Sequence, residues 1–111
     1  MTQVYNYDLV VVGGGPAGSS AAFAAAKNGI KVALIEKENS IAETVRTSGV
    51  TWIKSIEEFG IPENCYHPIK NFSFASPNNE VTISDSIATA AVLDVRKTYR
   101  WLSEEAKKLG V

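Results

Sequence analysis

The sequence predicts an α/β fold whose N-terminal part is a parallel βαβ unit. Three observations predict it. Tyr7-Asp8-Leu9-Val10-Val11-Val12 is a short apolar run that breaks off in three glycines. An alanine-rich stretch, residues 16–28, follows at once. A second apolar run, residues 30–35, comes after Gly29. Strand, helix and strand therefore fit within about 30 residues, the length of a βαβ unit.

Each element has a physical reason. The run 7–12 lacks polar alternation, which suits a strand buried on both faces, as in a parallel sheet. Pro16 can open the helix, because the first helical position needs no N–H, and Gly29 supplies its stop. A polar stretch covers residues 37–47. Residues 51–59 are expected to be helical, with Trp52, Ile53, Ile56 and Phe59 on one face and Gly60 and Pro62 ending the helix. Residues 69–75 and 80–84 are strand candidates joined by Pro77-Asn78-Asn79, a hairpin insertion of about 69–85. Residues 90–94 form a further strand candidate. Residues 96–109 form an amphipathic helix with Tyr99, Leu102, Ala106 and Leu109 on one face and a Glu104–Lys108 pair outside. Val111 follows Gly110 as Ile30 follows Gly29, so the pattern leads to the expectation that another strand comes next. Residues 1–111 are then expected to be the N-terminal part of a larger domain.

Composition narrows the function. Hydrophobic residues make up 45% of the 111 residues and charged residues 21%, the profile of an ordinary globular chain. The net charge of −1 provides no broad basic field, so nucleic acid is not an expected partner. One cysteine, Cys65, cannot form an internal disulfide, which fits a cytoplasmic location. The apolar run 9–12 is too short for a signal segment or a membrane span.

Gly13-Gly14-Gly15-Pro16-Ala17-Gly18 satisfies G-x-G-x-x-G between a strand and a helix. The first glycine permits a tight turn, the second lets backbone N–H groups approach a pyrophosphate, and the third allows close helix–strand packing. The helix N-terminus adds free N–H donors and partial positive charge. Glu36 stands 18 residues beyond Gly18 (36 − 18), at the end of the second strand, where a carboxylate accepts ribose hydroxyls. Such an acid disfavours a cofactor with a 2′-phosphate, but it leaves FAD and NAD both open. The fold class is thus an incomplete Rossmann-like FAD/NAD(P)-binding βαβ unit with an inserted hairpin and a C-terminal helix.

The run 7–18, with Leu34-Ile35-Glu36-Lys37 behind it, resembles the N-terminus of FAD-dependent oxidoreductases. Val92-Leu93-Asp94-Val95-Arg96-Lys97-Thr98-Tyr99-Arg100-Trp101-Leu102 is similar to a segment of geranylgeranyl reductases and related aromatic-hydroxylase-like flavoproteins. The resemblance implies FAD as cofactor, with NAD as the runner-up. It implies that Gly13, Gly15, Pro16, Ala17 and Gly18 line the pyrophosphate and that Glu36 holds the ribose. Lys37 would lie near the adenosine, while Arg46 and Arg96 match family positions close to the cofactor. The implied substrate is an isoprenoid, with room for peripheral membrane contact by a longer parent. Alternatives are a flavin monooxygenase N-terminus and a truncated, non-catalytic nucleotide-binding fragment; the chain alone is expected to be inactive. Two positions depart from the family pattern: Thr47-Ser48-Gly49 follows Arg46 where Cys-Gly is common, and Arg100 stands where aspartate is frequent.

No catalytic residue can be named, and no metal-ligand spacing occurs. His67 is expected in a loop, Cys65 lacks a neighbour that would lower its pKa, and Trp52 and Trp101 are expected to be helical packing residues. Phe72 and Phe74 share a strand face, suited to a core contact or the base of a substrate pocket.

Overall fold

A computed structural model describes Met1–Val111 throughout, in two compact units. The first comprises Met1–Val45 and Arg96–Val111; the second is Arg46–Val95.

In the first unit, β1 (Leu9–Val12), α1 (Pro16–Lys27) and β2 (Val32–Ile35) form the expected βαβ unit. The strands are parallel, with Leu9 opposite Val32 and Val12 opposite Ile35. Side chains alternate across a strand, so Leu9, Val11, Val32 and Leu34 share one face. A Cβ on Gly18 would lie 3.4 Å from the Val11 side chain, which puts α1 over that face. Small residues let the helix come close: Ser19 and Ala22 are both fully buried.

Burial on both faces of β1 does not occur. Val12 is 80% exposed and its neighbour Ile35 51%. This sheet holds only two strands, and α1 covers one of its faces. Apolar composition identified the strand correctly, while burial depends on neighbours that a strand sequence does not specify.

Helix α3 (Val95–Lys108) also belongs, from Arg96 onward, to the first unit. It buries Val95, Thr98 and Ala106. Leu109, expected on the same face, is exposed. The outer ion pairs are Lys107–Glu104 and Lys108–Glu105, spaced i,i+3 rather than Glu104–Lys108. Exposed pairs of this kind contribute little.

In the second unit, β3 (Val50–Trp52), β7 (Ala90–Leu93) and β4 (Tyr66–Ile69) form an antiparallel sheet in the order β3-β7-β4. Central β7 buries Ala90 and Ala91. Helix α2 (Ile53–Phe59) follows β3 directly and buries Ile56. The hairpin of β5 (Asn71–Ala75) and β6 (Glu80–Ser84) turns where expected, with the Ser76 amide donating to the Asn79 carbonyl at 2.7 Å. Two expectations fail here. Trp52 lies at the end of β3 rather than on a helix face and is 61% exposed. His67 lies in β4, opposite Val92, not in a loop. Both residues sit in strands made by pairing with distant β7, a non-local contact without a local signature.

Candidate functional site

The glycine turn is built from backbone outward. The Gly13 amide donates to the Ile35 carbonyl at 2.7 Å, which carries the sheet pairing one residue past β1. At φ +103°, Gly13 adopts a conformation that side chains resist. The chain then reverses into α1, whose first intrahelical bond runs from the Ser19 amide to the Gly15 carbonyl at 2.9 Å. The buried Ser19 hydroxyl donates to the Gly14 carbonyl at 3.1 Å and ties the turn to the helix.

The four glycines have different reasons to be glycine. A Cβ on Gly18 would overlap the Gly13 carbonyl oxygen, so its smallness serves helix–turn packing. A Cβ on Gly14 would overlap Cδ1 of Ile41, so this position is packed rather than free. Gly15 differs from both. Its φ of −71° and ψ of −173° suit any residue, and a Cβ there would meet no atom within 4 Å. Neither backbone conformation nor contact with other residues of this chain calls for glycine at 15, although its place as a helix N-cap favours glycine over apolar residues.

Gly15 is also the N-cap of α1. No side chain caps this helix, and no acidic residue sits in its first turn. Pro16 lacks an N–H, and helix geometry leaves Ala17 and Gly18 without an i−4 acceptor. The turn therefore presents amide donors and the positive end of the helix dipole toward the open space beside Gly15. That chemistry fits a pyrophosphate: donors, partial positive charge and no side chain in the way.

Glu36 follows β2 and faces the turn. Its Oε2 accepts the Gly14 amide at 2.7 Å, and its Oε1 accepts the Glu38 amide at 3.0 Å. The Glu38 and Gly14 amides hold the carboxyl below its ordinary value of 4.5; the Lys37 amide and charge add to this, against an opposing effect of desolvation. Glu36 is therefore a carboxylate at neutral pH. Each of its oxygens keeps a lone pair for a further donor, as a ribose hydroxyl would require.

The other three expected residues have different surroundings. Lys37 adjoins Glu36 and is exposed. Arg46 opens the second unit and is exposed. The Arg96 side chain is engaged by protein: its Nε donates to the Ala42 carbonyl at 3.0 Å and its Nη2 to the Glu43 carbonyl at 3.2 Å. Sequence reasoning missed Ser19, Ile41 and the bonding role of Arg100. Ser19 had a signal, a lone hydroxyl among inward-facing alanines. Ile41 had none, since its place depends on the path of an irregular loop.

In the second unit an open apolar cavity of about 360 Å³ is lined by Val50, Trp52, Ile69, Phe72, Phe74 and Ala90, among others. Phe72 and Phe74 pack edge-to-face, with centroids 5.7 Å apart.

Residues 8–68 match the family described as FAD dependent oxidoreductase. The chain is 43% identical over 108 residues to a digeranylgeranylglycerophospholipid reductase from Methanocaldococcus jannaschii, covering 94% of this chain and 27% of that protein. It is 35% identical to a geranylgeranyl diphosphate reductase from Rhodobacter capsulatus, covering 94% of this chain and 26% of the relative. A crystal structure of a geranylgeranyl bacteriochlorophyll reductase-like protein from Thermoplasma acidophilum superposes with a TM-score of 0.81 at 30% identity, over 94% of this chain and 28% of that one. The chain thus spans about a quarter of the length of these relatives.

Proposed function

The chain belongs to the family of FAD dependent oxidoreductases, and from that premise we propose that Gly13, Gly15, Pro16, Ala17, Gly18 and Glu36 hold the ADP portion of FAD. One observation carries the proposal. Gly15 is a glycine that the protein's own conformation and packing do not require, at the uncapped start of α1. A phosphate group in that space accounts for it, because a side chain at 15 would occupy the phosphate's place.

The division of labour follows. The amides at the start of α1 bind the pyrophosphate, and the ionised Glu36 binds the adenosine ribose and disfavours a 2′-phosphate there. Lys37 lies beside the adenosine; Arg46 and Arg96 are assigned to the cofactor's surroundings on family resemblance. Bound flavin supplies the redox chemistry, while this chain binds and orients it. The whole protein is an oxidoreductase that reduces isoprenoid double bonds, a reading supported by the names of the two reductase relatives. No helix is long and apolar enough to cross a membrane. The lone Cys65 supports a cytoplasmic location.

Titration of the purified protein with FAD and, separately, NADH tests the cofactor assignment. Saturable FAD binding, read as quenched flavin fluorescence, is expected, together with weaker NADH binding. Saturation by NADH alone would refute it.

A further inference from the structure

The loop after β2 is held in place by two arginines one turn apart on α3. Arg96 donates to the carbonyls of Ala42 and Glu43. Arg100 donates from Nε to the Ile41 carbonyl at 3.0 Å and from Nη2 to the Ser40 hydroxyl at 3.4 Å. Three consecutive carbonyls, 41 to 43, therefore point at two guanidinium groups. The loop is not relaxed between them: Ala42 has φ +56°, in the left-handed region that non-glycine residues avoid. Such a conformation persists when its surroundings over-determine it.

This loop touches the nucleotide cradle. Ile41 fills the space where a Cβ of Gly14 would stand. Gly14 is the residue whose amide fixes Glu36 and whose carbonyl receives Ser19. The loop also closes on itself, the Glu38 carboxylate accepting the Thr44 amide and the Glu43 carboxylate the Asn39 amide. A continuous path of contacts thus runs from Arg100 through Ile41 to Gly14 and Glu36.

We propose that Arg100, acting with Arg96, is a positioning residue for cofactor affinity: its fork fixes loop 40–43 so that Ile41 stays seated on Gly14 and the cradle is formed before FAD arrives. The inference rests on the assignment of the glycine turn to FAD. Arg100 touches the loop, and its effect on the cofactor is indirect. The geometry needs the planar guanidinium, since Nε and Nη2 address two different acceptors at once and a lysine ammonium cannot reproduce that fork.

Arg100→Ala and Arg100→Lys test this with two readouts. Hydrogen exchange without FAD reports the loop, and FAD titration reports the cradle. Amides 39–44 and Gly14 should exchange faster in both variants, while β1 and β2 amides and the melting temperature stay near those of the parent. FAD affinity should fall about tenfold, the scale of a supporting residue that does not touch ligand. A Lys variant matching the parent in both readouts would overturn the role of the fork. Faster loop exchange with unchanged FAD affinity would overturn the inference and leave the FAD assignment standing. A parent protein that fails to bind FAD would overturn the assignment and this inference with it.

Discussion

The turn at 13–18 and the unit Arg46–Val95 use glycine and bulk in opposite ways. In the turn, side chains are removed and amides are left uncapped around an open space. In the second unit, Trp52, Phe72 and Phe74 line an apolar cavity, and Gly49 is required by the protein itself: its φ is +77°, and a Cβ would lie 2.7 Å from the Leu93 carbonyl oxygen and 2.8 Å from the Val95 side chain. The difference separates two meanings of a glycine. Gly18 and Gly49 are explained by atoms of this chain. No atom of this chain stands where a Cβ of Gly15 would be, and the pyrophosphate proposed above would take that space.

That contrast can be broken by substitution. The largest effect is expected for Gly18→Ala, whose new methyl group would collide with a backbone carbonyl that cannot move without opening the turn. It should cost about 3 kcal/mol in urea unfolding and abolish FAD binding along with the fold of the turn. Gly49→Ala should cost about 2 kcal/mol through the second unit. Its unfolding should be seen first in amides of β3 and β7, with the exchange of β1 amides little changed.

Glu36→Gln gives a smaller, pH-specific effect. The folded-state pKa of Glu36 lies below its unfolded value. Its contribution to stability is therefore complete above 4.5 and is lost as pH falls through the folded pKa. Unfolding curves of parent and variant should run parallel above that point and converge below it. Curves that stay parallel down through the acid range would remove the amide bonds as the cause. The smallest effect is expected for Trp52→Ser. An exposed side chain on the open cavity should change stability by about 0.5 kcal/mol or less, measured by the same urea titration.

Legibility follows the same division. Strand, glycine turn and helix lie within 30 residues, and each leaves a local mark: apolar run, G-x-G-x-x-G, alanine face. Those elements were readable, as was Glu36 at the end of β2. So was the hairpin, because Pro77-Asn78-Asn79 sits between alternating strands. Strands β3 and β4 were not readable in place. Trp52 looked helical because the helical pattern of 53–59 extends back over it, and His67-Pro68 looked like a loop because proline disfavours strand interiors. Both strands form by pairing with distant β7, with Trp52 opposite Ala90 and His67 opposite Val92, a contact that sequence spacing does not encode. In the site itself, the glycines and Glu36 were legible from chemistry. Ile41 and the bonds of Arg96 and Arg100 were not, because they depend on where an irregular loop runs.

Gly15 is the residue at which the pyrophosphate and the protein's own needs separate. The decisive measurement is FAD affinity of Gly15→Val beside its urea unfolding curve. The fold should be retained at a stability cost of about 1 kcal/mol, because valine is a poorer helix N-cap than glycine, while the new side chain enters open space at a backbone conformation valine accepts. FAD affinity should fall by about a hundredfold or more, equivalent to roughly 2.7 kcal/mol. Valine at 15 with FAD affinity unchanged would contradict the assignment of this turn to the pyrophosphate.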